Sequence, residues 1–395
     1  MAGTIIGLGF LFATAHGVLD RFGRPLGTDF AAFWTAGRMV LQGHAAQTYD
    51  WSVQGSFQQQ ALSTSLFFPW SYPPVFLVIA AALAVLPYLP ALLIWNATTL
   101  SLALALCWRI LPSRQGLLLA LGFPAVLVCL GHGQTGFLTA VLLAGGALAL
   151  PRNKYAAGIL FGLLCYKPQF GLLLPFVLAA GRYWRAFATA AVTVLASIAI
   201  TTAIWGWPVW QAFLDSIPLT RTIVFEAGET GFEKFQSAFA AVRMWGGPVD
   251  LAYGVQGVVT IAVLAAAVAV WKGRADFRVK SAALLTGALL STPYVLDYDL
   301  IVFGMALAFL ASRGLEQGFF RWEKTLLAGA WLAPLVSRTS GKLLHLPIGF
   351  AALAAIFVLT VMHARAGRTE AASHSDPQGT RPDGRRPLGA GLQQA

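Results

Sequence analysis

Charge is what this chain has least of. Only 11% of its 395 residues are Asp, Glu, Lys or Arg, where a soluble domain carries about 25%. A surface that faces water on all sides is therefore excluded. Hydrophobic residues make up 57% of the chain and its mean hydropathy is +0.68, which places it among integral membrane proteins. Cysteine is nearly absent. Cys107, Cys129 and Cys165 lie in apolar runs without metal-ligand spacing, so a disulfide framework is excluded and they read as small core residues. The six histidines form no H-x-x-x-H pair, and no structural metal is expected. There is no Gly-rich nucleotide-binding loop. The net charge of +11 does not indicate nucleic acid, because most basic residues sit in short loops between apolar runs and in the tail, where they set topology.

What is present is a succession of apolar runs. The segments 3–19, 73–87, 90–109, 117–131, 135–150, 156–180, 186–206, 250–271, 281–296, 300–312, 325–337 and 346–363 predict an all-α polytopic membrane protein with roughly twelve spans. Several are short for a 30 Å hydrocarbon core, so broken or tilted helices are expected. The membrane domain covers 1–363. The stretch 364–395, rich in Arg, Gly, Pro and Gln, reads as a disordered cytoplasmic tail. The first run contains Ala13-Thr14-Ala15, which resembles a cleavage site, but no charged segment precedes it, so a retained helix is expected.

With the N-terminus inside, eleven basic residues fall in short inner loops and six in short outer ones, although two long polar stretches, 20–72 and 207–249, add six more outside. This orientation turns both long stretches outward. Aromatic clusters flank them at 67–72 and 205–210, as at a membrane interface.

Lys167 stands near the middle of the apolar run 160–178, followed by Pro168 and Gln169. A central Lys costs roughly 2.5–3.5 kcal/mol on insertion scales, so it is expected to be paired or functional. No carboxylate lies well inside an apolar run. The partner of Lys167 is then a loop carboxylate reaching into a cavity, backbone carbonyls, or a bound anion. Ten acids face outward in this topology: Asp20, Asp29, Asp50, Asp215, Glu226, Glu229, Glu233, Asp250, Asp297 and Asp299.

Asp29 is the leading candidate for chemistry. It precedes an amphipathic stretch with Phe30, Phe33, Trp34, Gly37 and Leu41 at helical spacing, read as a helix lying on the membrane surface with its aromatic face in lipid. The plain alternative is that Asp29 or Thr28 caps this helix. Asp297 and Asp299 follow the ninth run, where a capped turn is the plain reading. Tyr72-Pro73-Pro74 opens the second run and reads equally as a helix start. Gly131-His132-Gly133-Gln134 separates the fourth and fifth runs on the inner side, unless that turn is re-entrant or the helix count there is wrong.

In order along the chain come Asp29-Phe30-x-x-Phe33-Trp34-x-Ala36-Gly37-Arg38, Tyr49-Asp50, Tyr72-Pro73-Pro74, Gly133-Gln134, Ala157-Gly158 through Tyr166-Lys167-Pro168-Gln169, and Tyr294-x-x-Asp297-Tyr298-Asp299. Together they resemble glycosyltransferase family 87 over roughly 25–300. The family's better-known relatives are polyprenyl-phosphomannose-dependent α-(1→2)-mannosyltransferases. Beyond 300 no motif matches. The resemblance implies a GT-C type enzyme that takes a sugar, mannose or another hexose, from a polyprenyl-phosphate donor to a glycolipid or glycan acceptor at the outer face of a bacterial plasma membrane. It also implies Asp29 as the catalytic base.

For the donor phosphate that the resemblance implies, Lys167 and Arg38 are the candidate cations, although Arg38 equally fits a snorkelling surface role. Tyr72, Gln134, Gln169, Tyr294, Asp297 and Asp299 are candidates for binding the sugar or orienting the base. No cofactor or metal is expected, since a lipid monophosphate leaves readily. Two other classes fit a polytopic protein with a buried cation. A transporter or lipid flippase would more often show inverted repeats and mid-membrane acids. A ligase using a lipid-diphosphate donor would need more than Arg338 and His345.

Overall fold

The computed structural model describes residues 7, 9, 10 and 12–374. It is all-helical: among the described residues the only β pairing is in isolated bridges. Among the described residues, from Phe30 onward, seventeen α-helices follow in order. They are α1 (Phe30–Leu41), α2 (Trp51–Leu62), α3 (Pro74–Ala84), α4 (Tyr88–Ile110), α5 (Arg114–Leu121), α6 (Pro124–His132), α7 (Gly136–Ala149), α8 (Lys154–Leu163) and α9 (Leu174–Ala180). Then come α10 (Trp184–Trp205), α11 (Trp207–Thr220), α12 (Ala238–Met244), α13 (Val249–Lys272), α14 (Phe277–Leu290), α15 (Leu300–Gln317), α16 (Glu323–Leu344) and α17 (Ile348–His374).

Among the described residues, five segments are long and apolar enough to cross a membrane: α4, α10, α13, Asp297–Gln317 and Ile348–Ala366. Their outward faces carry residues such as Val192, Leu195, Val258 and Ile261, all well over half exposed, which only a lipid surround makes favourable. A sixth candidate is the pair α5 and α6, bent by 51° between Leu121 and Pro124. Pro124 explains the bend. Its missing N–H and fixed φ suit the first turn of a new helix better than the interior of an old one. Other apolar runs form helices of 10–17 residues, such as α1, α3 and α7, where about 20 are needed to span alone. Helix length and composition thus support five or six spans by themselves, short of the roughly twelve expected from the runs. Of the expected first span, 3–19, residues 3–6, 8 and 11 lie outside the described residues. At the other end α17 continues to His374, into the expected tail, and 375–395 lie outside the described residues.

The expectation that α1 lies on the membrane with its aromatics in lipid is wrong. Phe30 and Phe33 are 0% and 1% exposed, enclosed by protein. A Cβ on Gly37 would stand 2.0 Å from the Ala80 carbonyl oxygen, so this glycine lets α1 press directly on α3. Phe33 meets Trp70, Tyr72, Phe76 and Trp95 edge-on at 5.3–6.2 Å between ring centroids. Each such pair adds about 0.5–1.5 kcal/mol beyond its area burial. The aromatic stripe is a core, and it forms the floor on which the polar site stands.

The long run 156–180 is broken, as Lys167 and Pro168 suggest. Helix α8 gives way to two 3-10 turns, Leu164–Tyr166 and Pro168–Gly171, with Lys167 between them at φ −132°, ψ 70°. Pro168 excludes the helical region for the residue before it. The break therefore sets Lys167 off the helix and into the protein interior.

Candidate active site

The site begins at the start of α1. Asp29 occupies the residue before the helix, yet its side chain makes no capping hydrogen bond. It accepts instead a 2.8 Å hydrogen bond at Oδ2 from Gln134 Nε2. The capping alternative is therefore excluded and the carboxylate is directed across the chain. Its other oxygen lies 4.0 Å from His132 Nδ1, and its side chain is 32% exposed. His132 Nδ1 itself stands 2.6 Å from the Thr28 hydroxyl.

Gln134 is fixed from several sides. Its Oε1 accepts from the Tyr72 hydroxyl and from the Thr135 backbone N–H, each at 3.0 Å. Those two donors settle which end of the amide faces Asp29, because only the NH₂ group can serve a carboxylate. The turn carrying it is clamped under α1. Gly133 has φ +62°, and a Cβ there would meet Phe30 at 2.7 Å and Leu92 at 2.8 Å. The Gly133 carbonyl accepts from Trp95 Nε1 at 3.0 Å. Of the readings left open for this turn, the bent pair α5–α6 favours a broken or re-entrant segment that returns to the side of Asp29.

Below Tyr72 the polar chain continues inward. Tyr72 stacks on Tyr166 at 6.2 Å, and the Tyr166 hydroxyl lies 2.6 Å from Thr139 Oγ1. Lys167 Nζ is 2.7 Å from Asp299 Oδ1, with the two side chains 5% and 1% exposed. Of the three partners open to Lys167, a loop carboxylate is the one found. Three rings surround the ammonium, Tyr298 at 4.9 Å, Phe170 at 5.6 Å and Tyr72 at 5.9 Å. The other Asp299 oxygen accepts the Leu296 N–H at 3.2 Å. Asp299 arrives here because the loop after α14 dives inward. Gln236 N–H donates to Val295 O at 2.8 Å, and a Cβ on Gly136 would lie 2.3 Å from the Tyr298 carbonyl oxygen. The turn Asp297–Asp299 is thus pressed against the start of α7 rather than standing at an outer helix end.

Asp297 takes both Nε and Nη2 of Arg338 on its Oδ2, at 2.9 and 2.5 Å. Its Oδ1 is buried without a partner. Tyr294 is half-buried, edge-on to Phe225 and Phe235 at 5.8 and 5.5 Å. Asp29 lies within electrostatic reach of Tyr72, Tyr294 and Tyr298. Asp29, Tyr72, Gln134, Lys167, Tyr294, Asp297 and Asp299 therefore form one neighbourhood. Two candidates do not join it. Arg38 sits nine residues, about 13 Å, along α1 from Asp29, over the Trp34 ring at 5.7 Å. Gln169 is half-buried and makes no hydrogen bond to the cluster.

Three competing bases are engaged. Asp297 and Asp299 each hold a cation. Glu226 accepts from Arg221 Nε at 2.6 Å and from the Tyr253 hydroxyl at 2.9 Å. The Arg221 hydrogen bond keeps that carboxyl below its ordinary range, which makes it a poor proton acceptor. Among the described residues, no group of three or more His, Cys, Asp or Glu side chains could hold a metal ion. The candidates named from sequence omit His132, which lies within the quoted Gly-His-Gly-Gln turn, and Arg338, which lies in no motif.

A family model described as glycosyltransferase family 87 matches residues 70–295. The chain belongs to glycosyltransferase family 87. It is accordingly a membrane glycosyltransferase, acting on a sugar donor and an acceptor. No curated protein and no solved structure matches the chain. Tyr72, Gln134, Lys167, Gln169 and Tyr294 fall within the family match, while Asp29, Arg38, Asp297, Asp299 and Arg338 lie outside it.

Proposed function

We propose that this family 87 glycosyltransferase moves a hexose, mannose being the leading choice, from a polyprenyl-phosphate donor to an acceptor hydroxyl on a glycolipid or glycan. The reaction inverts the anomeric centre. It takes place at the outer face of a bacterial plasma membrane, in a GT-C type protein whose shorter helices complete a bundle of about twelve spans. The observation that carries this reading is the Asp29 carboxylate: free of any capping bond, partly exposed, held at one oxygen by Gln134 and with His132 Nδ1 4.0 Å from the other.

In the proposed step the acceptor hydroxyl attacks the anomeric carbon while its proton passes to Asp29 Oδ1. The bond from the anomeric carbon to the donor phosphate oxygen breaks, and that oxygen keeps the electron pair. General-base help of this kind contributes about 10²–10⁴ in rate. Gln134 holds the carboxylate at a fixed angle, so little orientation is lost on the way to the transition state. Tyr72, Tyr294 and Asp297 offer polar atoms for sugar hydroxyls nearby. The Lys167–Asp299 pair is internally neutral and supports the Tyr72 face of the site.

A lipid-linked donor is supported by an apolar cavity of about 410 Å³ lined by residues that follow closely on the polar cluster in the chain. Its walls include Phe123, Val126, Phe137, Ile301, Met305 and Trp331. Phe137 is three residues from Gln134 and Ile301 two from Asp299, so the cavity starts within a helical turn of the site. Leu119 and Leu332, which help line it, are about half exposed. An isoprenoid chain fits such a space, which offers a water-soluble donor nothing. The test is to supply the protein in nanodiscs with radiolabelled polyprenyl-phosphomannose and acceptor. Release of free polyprenyl phosphate with formation of the opposite anomer is expected. A labelled lipid that crosses the bilayer unchanged would mean transport instead.

A further inference from the structure

The geometry points to Arg338 as the residue that receives the donor phosphate, an assignment that rests on the lipid-monophosphate reading above. Sequence reasoning gave this task to Lys167 or Arg38, and neither is placed for it. Lys167 is 5% exposed and in contact with an enclosed carboxylate, so its charge is already neutralised inside the protein. Arg38 lies over Trp34, away from the cluster.

Arg338 differs on both counts. Its side chain is 41% exposed, while the Asp297 carboxylate that holds it is only 6% exposed. Nε and Nη2 both point at one oxygen of Asp297, which leaves Nη1 without a hydrogen bond among the described residues. A guanidinium steadied from behind with a free edge is a phosphate receptor, because its planar fork matches two phosphate oxygens. Place supports the same conclusion. Trp331, on the same helix α16, lines the apolar cavity, meets Phe123 at 6.2 Å and donates to Leu119 O at 3.0 Å. Arg338 follows seven residues later, about 10 Å along the helix. Its partner Asp297 stands beside Asp299 in the turn pressed on α7, at the polar end of that cavity. A lipid whose tail fills the cavity ends with its headgroup at Arg338 and its sugar toward Asp29.

The charge balance agrees. As the anomeric bond breaks, the phosphate gains a second negative charge, and Arg338 is the cation at the site with both exposure and an unused donor. The acceptor's proton goes to Asp29, and the electron pair leaves with the phosphate oxygen that Arg338 holds.

The experiment compares binding of a C55 polyprenyl phosphate and of the neutral C55 polyprenol to the full chain in phosphatidylcholine nanodiscs. The wild-type protein should prefer the phosphate at least tenfold. Arg338→Gln alone strands the Asp297 charge, so the decisive variant is Arg338→Gln with Asp297→Asn, which removes both charges together. Its preference should fall to about one with polyprenol binding unchanged. Asp297→Asn alone should keep the preference, and Arg338→Lys should retain part of it. A double variant that still prefers the phosphate overturns the assignment of Arg338 and leaves the donor reading standing. A wild-type protein without any preference overturns the lipid-monophosphate reading itself, and the assignment with it.

Discussion

Replacing Lys167 by Met should destabilise the protein by about 3–5 kcal/mol, the usual loss when one partner of a buried ion pair is removed. The size follows from the geometry. The ammonium and carboxylate are 2.7 Å apart, which at an effective dielectric constant of about 20 corresponds to a gross attraction of about 6 kcal/mol. Most of that gross term offsets the cost of taking both charges out of water. After Lys167→Met the attraction is gone, but Asp299, 1% exposed, remains ionised or must take up a proton in an apolar setting. Lys167→Met with Asp299→Asn removes both charges, and the Asn oxygen can still accept the Leu296 N–H, so most of the loss should return. Equilibrium unfolding in mixed detergent micelles measures all three proteins. A single variant as stable as wild type, or a double variant no better than the single one, would refute the claim that this pair is a closed structural unit.

Gln134→Ala removes a charge-assisted hydrogen bond to Asp29 worth about 1.5–3 kcal/mol. It should lower kcat roughly 10- to 100-fold in a transfer assay, with donor KM within about threefold of wild type. Ala120→Trp places an indole at the rim of the apolar cavity, and should raise KM for a C55 donor much more than for a short-chain analogue. Equal effects on both donors would detach the cavity from the donor.

How legible the protein was in its sequence depends on which kind of physics each residue obeys. The break at Lys167-Pro168 was visible because proline's constraint is local. The family was visible because its motifs follow in order along the chain. The environment of α1 was not. Its periodicity shows which face is apolar, but lipid and protein interior are equally apolar, so the pattern cannot say which one covers Phe30 and Phe33. Asp299 escaped recognition as the partner of Lys167 for another reason. The pair closes over 132 residues, and hydropathy puts Asp299 at a helix end, whereas α14 stops at Leu290 and the following loop runs inward. The Gly131–Gln134 turn is placed on the inner side by treating each apolar run as a crossing, whereas its hydrogen bond to Asp29 brings it to that residue. Arg338 stood out only beside His345, as too little for a ligase, since a single arginine reads as a surface charge until its partner Asp297 is seen.

The central claim is that Asp29 is the base, and one measurement tests it most directly. Asp29→Asn keeps the shape of the side chain and removes its proton affinity. In nanodiscs supplied with polyprenyl-phosphomannose and acceptor, it should bind donor as the wild type does and transfer sugar at least 100-fold more slowly. Turnover at the wild-type rate would contradict the account and move the base elsewhere in the cluster.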